Sequence, residues 1–209
     1  ARYWIHNGFL SIDHEKMSKS LGNVVLVHDL IKTIPGEVIR LTLLSGHYRQ
    51  PLDWSKETID SARRMLDRLY GAVRGIDVSD SERREAEIPE ALVAALEDDL
   101  NTPRAMAEFF GLARSLNKAT DADERRRLAA QMYAVGDLMG LLQSDPDDWF
   151  AGHGESEMSA GTIEEMLEKR RSARAAKRFA EADAIRDELA KAGIQIEDGP
   201  EGTTWRRVD

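Results

Sequence analysis

The chain has 209 residues, a formal net charge of −9 at pH 7, 42% hydrophobic and 32% charged residues, and no cysteine. This composition is typical of a globular chain rich in surface helix, and it excludes disulfides and thiolate metal sites. Because no apolar run approaches the roughly 18 residues that a membrane span needs, we expect no membrane contact. The negative charge, taken alone, argues against nucleic-acid binding, but residues 169–191 carry 8 basic and only 4 acidic side chains.

The N-terminal part centres on the polar loop "HEKMSKSLGN", from His14 to Asn23. The preceding "GFLSID" alternates apolar and polar residues and predicts a short strand. Lys16 and Lys19 flank a Met-Ser pair, and flexible ammonium groups suit a polyanion such as a triphosphate. From composition alone, a charged surface loop without a ligand is the alternative. After the loop, "PGEVIRLTLLSGHYR" predicts a helix with Pro35 in its first turn.

Several helices with short connections follow, and they predict an antiparallel bundle. The clearest helix has Ser55 as its expected N-cap. Its apolar residues step by three and four and predict one buried face: Ile59, Ala62, Leu66, Leu69 and Val73. Three later helices are predicted from first-turn prolines and cap residues: Pro89, Asn101 or Thr102 with Pro103, and Asp121.

The last quarter of the chain predicts a separate small unit. Residues 143–161 are rich in Asp, Gly and Ser and contain no lysine or arginine, so we expect a linker there. Thr162 and Glu165 have the spacing of a capping box at the start of a helix. The ending "GIQIEDGPEGTTWRRV" predicts two short strands around a turn. Helix followed by a hairpin indicates a small mixed α/β unit.

The loop string carries a resemblance to a known class of enzymes. Lys16-Met17-Ser18-Lys19-Ser20 matches the KMSKS signature of the class I aminoacyl-tRNA synthetases, which activate an amino acid with ATP. The longer strings "YWIHNGFLSIDHEKMSKSLGN", "LLSGHYR", "EDDLNTP" and "AEADAIRDELAKAGIQIEDGPEGTTWRR" are similar to the cysteinyl-tRNA synthetases. This resemblance extends from Tyr3 to Arg207.

The resemblance implies a mainly α fold in four parts. Residues 1–50 would be the end of a catalytic domain, with the KMSKS loop and a segment that contacts the tRNA stem. Residues 51–142 would be a helical bundle of the anticodon-binding type. Residues 143–161 would be a linker, and residues 162–209 a small α/β domain that recognises the anticodon.

The resemblance also implies the chemistry of the loop. Lys19 would stabilise the pyrophosphate leaving group of ATP, which binds with Mg²⁺, and Lys16 would assist. Met17, Ser18 and Ser20 would lie against the nucleotide. The family's HIGH motif and zinc-ligand cysteines do not occur in these 209 residues. We therefore expect the C-terminal part of the enzyme, inactive alone and without metal ligands of its own, the Zn²⁺ belonging to the whole enzyme.

The basic C-terminal segment offers groups that suit RNA recognition. Sequence-specific RNA readers stack unpaired bases on aromatic or arginine planes and bond to the base edges. The candidates for tRNA contact in this segment are Arg174, Phe179, Asp183, Arg186, Asp198, Trp205, Arg206 and Arg207. Phe179, Asp183 and Arg186 share one helix face by spacing, although an ordinary surface ion pair and a core phenylalanine are the alternatives. Trp205 either stacks on a base or packs against the hairpin. Upstream, His47 and Arg49 would contact the inner corner of the tRNA.

The resemblance implies cysteine, ATP and tRNA(Cys) as partners of a cytoplasmic, monomeric enzyme. Two alternatives stay open at this point. A related ligase couples activated cysteine to an amino sugar in mycothiol synthesis, and it has no need of an anticodon reader. A free-standing tRNA-binding module is the other alternative, although such a module has little use for a KMSKS loop.

Overall fold

The computed structural model describes residues 1–18, 22–151, 160–176, 178–199 and 202–207. The chain divides into two compact units, Ala1–Pro146 and Asp147–Asp209. The first is a helical bundle with a small sheet, and the described residues of the second form three helices and a hairpin. The mainly helical fold expected from the sequence is confirmed. In the described ranges, no helix combines the length and the apolar character needed to cross a bilayer.

The small sheet of the first unit joins the start of the chain to the start of the bundle. Its strands are β1 (Leu10–Ile12), β2 (Glu15–Lys16) and β3 (Leu52–Trp54), in the order β2-β1-β3. β1 pairs antiparallel with β2 and parallel with β3, with Ser11 opposite Asp53. The turn between β1 and β2 is tight because Asp13 and His14 both have positive φ, 47° and 67°.

The described residues of the first unit also form seven helices. They are α1 (Val27–Leu30), α2 (Gly36–Leu44), α3 (Lys56–Val73), α4 (Asp80–Glu85), α5 (Glu90–Glu97), α6 (Thr102–Lys118) and α7 (Ala122–Met139). α3 packs against α2, α6 and α7, and α6 also packs against α5 and α7. The stripe predicted for α3 faces this core: Ala62, Leu66, Leu69 and Val73 are at most 1% exposed.

The helix ends follow the cap residues of the sequence. Ser55 caps α3, where its side chain accepts a hydrogen bond from the backbone N–H of Thr58 in a capping box. Asn101, rather than Thr102, caps α6, and Asp121 caps α7. These three side-chain caps confirm the predicted starts of the long helices.

The side chains of Glu37 and Tyr70 hydrogen-bond to each other and to the backbone of residues 142–144 at the C-terminal end of the bundle. We call this pair the Glu37–Tyr70 anchor. The Glu37 carboxylate accepts hydrogen bonds from the Tyr70 hydroxyl (2.7 Å) and from the backbone N–H groups of Leu142 (2.9 Å) and Gln143 (3.0 Å). The Tyr70 oxygen in turn accepts from the N–H of Ser144 at 3.1 Å. Burial, followed by the bond to Glu37, raises the pKa of Tyr70.

The second unit contains α8 (Pro146–Ala151), α9 (Ala160–Ala175), α10 (Phe179–Lys191), and the antiparallel strands β4 (Ile194–Gly199) and β5 (Gly202–Arg207). α9 begins at Ala160, two residues before the start that the capping-box spacing predicts. The small core of the second unit consists of Ile163, Leu167, Leu189, Ile194 and Trp205. The helices and the hairpin thus share one apolar centre.

Candidate functional site

The lysine-rich loop leaves the sheet at the end of β2. Lys16 is exposed, and Met17 and Ser18 are half-buried. The Asn23 side chain spans the base of the loop: its Oδ1 accepts from the N–H of Ser18 at 2.9 Å, and its Nδ2 donates to the carbonyl of Lys16 at 3.3 Å. One side chain therefore fixes both arms of the loop. Lys19 and Ser20, the other predicted ATP contacts, lie outside the described residues.

Asp53 on β3 holds the turn that leads into this loop. Its Oδ1 accepts from the hydroxyl of Ser11 at 2.6 Å and from the N–H of His14 at 2.8 Å. Its Oδ2 lies 3.2 Å from Nδ1 of His14, at ion-pair distance but without a hydrogen bond. The bonds from Ser11 and from His14 hold the pKa of Asp53 below its usual range. The backbone carbonyl of the same Asp53 accepts from the Thr58 hydroxyl at 3.1 Å, in the first turn of α3.

A second polar cluster joins the strings "SGHYR" and "EDDLNTP" around Asp99. Arg49 donates to both Asp99 oxygens (2.6 and 2.9 Å), and the Tyr48 hydroxyl donates at 2.6 Å. The hydrogen bonds from Arg49 and then Tyr48 hold the pKa of Asp99 far below its usual range. His47 stacks on Tyr48 with 5.0 Å between ring centres. Arg49, predicted to contact tRNA, therefore already has a carboxylate partner.

In the second unit, the predicted RNA-facing residues of α9 and α10 lie on the surface. Arg174, Asp183 and Arg186 are exposed, and Phe179 at the start of α10 is 61% exposed. The alternative of a core phenylalanine is therefore wrong. Within the part of the chain that the structure describes, Asp183 and Arg186 form no ion pair with each other, so both keep their polar groups toward solvent.

The hairpin residues have different positions. Trp205 is only 7% exposed, and its indole N–H donates to Glu164 Oε1 at 2.7 Å. This burial favours the packing alternative over base stacking. Asp198 pairs with Thr203 in the β4–β5 register, and Arg206 and Arg207 follow Trp205 on β5. The side chains of Asp198, Arg206 and Arg207 lie outside the described part of the structure.

No local sequence pattern indicates the roles of Asn23, Asp53 and Asp99. Asn23 lies inside the loop string, but only its position across from Ser18 and Lys16 shows what it does. Asp53 and Asp99 act on partners 39 to 51 residues away in the chain, which no local pattern records. A search of the described residues for three or more clustered metal-ligand side chains finds none.

Three family models match the chain in succession. Residues 1–64 match the tRNA synthetases class I (C) catalytic domain, residues 91–143 the DALR domain, and residues 158–206 the cysteinyl-tRNA ligase anticodon binding domain. These matches place the chain in the class I aminoacyl-tRNA synthetases.

Curated relatives narrow the class to one family. A cysteine–tRNA ligase of Parvibaculum lavamentivorans is 52% identical over 99% of this chain and 44% of its own length. The cysteine–tRNA ligase of Rhodospirillum rubrum is 53% identical over 100% of this chain and 45% of its own length. The chain belongs to the cysteine–tRNA ligase family, as its motifs predicted, and it spans less than half the length of these relatives.

Among solved structures, the ternary complex of Agrobacterium radiobacter K84 agnB2 LeuRS with tRNA and LeuAMS superposes with a TM-score of 0.48 at 19% identity. The superposition covers 64% of this chain and 20% of the other. A likeness of this size is too weak to support a functional comparison.

Proposed function

We propose that this chain is part of a cysteine–tRNA ligase, which activates cysteine with ATP and transfers it to tRNA(Cys). The chain supplies the KMSKS loop and the tRNA-binding surface, and alone it does not activate cysteine. The observation that carries the proposal is the presence, in one chain, of a KMSKS loop braced by Asn23 and an anticodon-domain match over residues 158–206. That match favours the proposal over the amino-sugar ligase, which reads no anticodon.

Lys16 and Lys19 act on the phosphates of ATP. Negative charge moves onto the β- and γ-phosphates as the bond to the α-phosphorus breaks, and an ammonium held at that place stabilises the transition state more than bound ATP. Met17, Ser18 and Ser20 line the nucleotide, and Mg²⁺ accompanies the triphosphate. The chain has no cysteine and its described residues contain no cluster of metal-ligand side chains, so the described residues do not fit a zinc site. The zinc ligands of the family would lie in residues outside this chain.

The loop assignment is tested in the full-length ligase that carries this chain. Lys19→Ala should lower the single-turnover rate of cysteinyl-adenylate formation by about 10²- to 10³-fold, while the Kd of ATP changes far less. Lys32→Ala is the matched control, because Lys32 is an exposed lysine that pairs with Asp29 on the neighbouring α1 segment. Equal losses in ATP binding and in rate would remove the transition-state role.

The second unit reads the anticodon. Phe179 offers an exposed stacking surface, and Asp183 accepts from the N1–H and amino group of a guanine. Arg174 and Arg186 bind phosphate or stack. Asp198, Arg206 and Arg207 of the hairpin contact the same tRNA, and Trp205 packs in the core of this unit.

Further proposals concern the rest of the molecule. His47 and Arg49 contact the inner corner of the tRNA, with Asp99 holding the Arg49 guanidinium in one orientation. The chain is organised in the four parts expected from the sequence, with divisions at residues 50, 142 and 161. The whole enzyme acts as a monomer in the cytoplasm.

The anticodon assignment is tested with the 209-residue chain and transcripts of tRNA(Cys). Phe179→Ala should weaken binding by roughly 5- to 100-fold, the range expected for one base stacked on an aromatic ring. Phe9→Ala, which removes an 81% exposed phenylalanine from the first unit, is the matched control. A transcript with an altered anticodon should lose affinity for the unmodified chain. The same affinity for both transcripts would remove the anticodon assignment.

A further inference from the structure

The turn between β1 and β2 has residues that do not favour its geometry. Ile12 pairs with Glu15, so only Asp13 and His14 connect the two strands, and both have positive φ. Two-residue hairpin turns with positive φ at both positions favour Asn-Gly or Asp-Gly, because glycine adopts this conformation without a steric penalty. The second position is His14, whose Cβ disfavours the left-handed conformation. The turn therefore needs contacts from outside the hairpin to keep its shape.

Strand β3 supplies such contacts to both turn residues. The N–H of Asp13 donates to the carbonyl of Trp54 at 3.3 Å, and the N–H of His14 donates to Asp53 Oδ1 at 2.8 Å. The same carboxylate oxygen accepts from the Ser11 hydroxyl at 2.6 Å, so it also fixes the strand before the turn. The other oxygen, Oδ2, is buried and lies 3.2 Å from the imidazole Nδ1 of His14. The Asp53 side chain thus contacts the strand, the backbone of the turn and a side chain of the turn.

The turn also determines where the first lysine of the loop lies. Strand β2 consists of Glu15 and Lys16, and both residues are exposed, so no buried side chain holds this strand on the sheet. Its position depends on its backbone pairing with β1 and on the turn that joins the two strands. Lys16 is opposite Ser11 on β1, and Ser11 is opposite Asp53 on β3. The support from Asp53 and the start of the lysine loop therefore lie in one row across the sheet.

We propose that Asp53 is a positioning residue for the lysine loop in adenylate formation, because it holds the Asp13-His14 turn in its left-handed conformation. The inference rests on the proposed function, which assigns Lys16 and Lys19 to the phosphates of ATP. Without the Asp53 carboxylate, the turn relaxes and the short strand β2 loses its place. A loop that is out of place loses contacts to the transition state first, so the rate should fall more than the affinity for ATP.

The first test measures the single-turnover rate of cysteinyl-adenylate formation and the Kd of ATP in the full-length ligase that carries this chain. Asp53→Ala should lower the rate by about 10-fold and change the Kd by less than about 3-fold. Asp53→Asn should restore most of the rate, because the amide oxygen accepts the same two bonds as Oδ1. Asp60→Ala, which removes a half-buried carboxylate from α3, is the matched control. Equal rates in the Asn and Ala variants of Asp53, or in Asp53→Ala and the control, would overturn the proposal.

A substitution in the turn distinguishes this role from a general loss of structure. His14→Gly keeps the backbone N–H and removes the Cβ that disfavours positive φ, so the turn no longer needs the support. In the His14→Gly background, Asp53→Ala should lower the rate by less than about 2-fold, compared with about 10-fold in the unmodified ligase. An equal effect in both backgrounds would show that Asp53 acts elsewhere. Ser11→Ala, which removes only one bond to Oδ1, should lower the rate by about 2- to 5-fold and replaces Asp53→Ala if that variant does not fold.

Lys19→Ala separates the positioning role from the function on which it rests. If Lys19→Ala leaves adenylate formation unchanged, the loop assignment fails, and the positioning role fails with it. If Lys19→Ala slows the reaction and Asp53→Ala does not, only the positioning role fails. In the Lys19→Ala background, Asp53→Ala should have a smaller effect on the rate than in the unmodified ligase, because one of the ammonium groups that it positions is gone. Fully additive effects would contradict the proposal.

Discussion

Replacing Tyr70 by phenylalanine removes one oxygen atom from the Glu37–Tyr70 anchor and leaves the buried ring in place. The Tyr70 side chain is 0% exposed, so the change creates little space for rearrangement. Two hydrogen bonds are lost, one donated to the Glu37 carboxylate at 2.7 Å and one accepted from Ser144 at 3.1 Å. A bond to a charged group contributes roughly 1.5–3 kcal/mol and a neutral one roughly 0.5–1.5 kcal/mol. Because water can reach the half-buried Ser144, we expect a loss of about 2 kcal/mol in the free energy of unfolding.

Glu37→Gln perturbs the same anchor from the other side. The amide has one acceptor oxygen, while the carboxylate accepts from Tyr70, Leu142 and Gln143, so at least one donor loses its partner. The two substitutions act on one network and should not be additive. We expect the double variant to be more stable than the sum of the single losses predicts, by about 1 kcal/mol.

The assay is urea unfolding of the 209-residue chain, combined with hydrogen exchange of α3 and α7 peptides to assign the loss to the first unit. Tyr133→Phe is the matched control, because Tyr133 is 4% exposed and its ring packs under Arg83 at 3.7 Å. It should cost less than Tyr70→Phe. Additive losses in the Tyr70 and Glu37 variants, or equal losses in the two tyrosine variants, would refute the reasoning.

The same anchor predicts a pH dependence at the alkaline end. The pKa of Tyr70 is raised above its ordinary value of 10.0, so the folded state holds the hydroxyl proton more tightly than the unfolded state. The stabilising contribution is complete below pH 10 and is lost as the pH rises toward the folded pKa. Tyr70→Phe should therefore reduce the decline of stability above pH 10, measured by thermal unfolding. An identical alkaline decline in both proteins would contradict this.

Three further changes test other contacts. Asn23→Ala removes both hydrogen bonds at the base of the loop. The backbone amides of the loop should therefore exchange hydrogen faster in this variant than in Asn23→Asp, which keeps the acceptor oxygen. Equal exchange rates in the two variants would contradict the bracing role. The pKa of Asp99 is held below its ordinary 3.8, so its contribution to stability is present above that pH and lost as the pH falls toward the folded pKa. Asp99→Asn should flatten the acid decline of the melting temperature, and an unchanged decline would count against the cluster. Trp205→Phe removes the donor to Glu164 and should cost about 1 kcal/mol in urea unfolding, more than Glu164→Gln, which keeps an acceptor oxygen.

The long helices could be predicted because their signals are local. Ser55, Asn101 and Asp121 cap helices whose apolar residues repeat at the helical period, and neither feature depends on the rest of the fold. The capping-box spacing predicts the start of α9 at Thr162, whereas the helix begins at Ala160. A capping-box spacing inside a helix carries the same letters as one at its end, so the sequence alone does not distinguish them.

The residue types of the candidate site are evident from the sequence, but the contacts that hold them are not. The KMSKS string indicated a phosphate-binding loop, but the braces at Asn23 and Asp53 depend on which strands pair. Helical spacing grouped Phe179 with Asp183 and Arg186 without showing whether this face was buried. This face of α10 is exposed because another side of the helix packs on α9. Which side packs is decided by the core of the second unit.

The Asp53 side chain accepts hydrogen bonds that hold the turn before the loop, and the Asp53 backbone carbonyl accepts one from the first turn of α3. Only Ser55 separates β3 from α3, so no flexible joint lies between the sheet and the helix. The sheet and α3 are therefore continuous at Asp53, and a displacement of the first turn of α3 would be transmitted through this residue to the turn that precedes the lysine-rich loop.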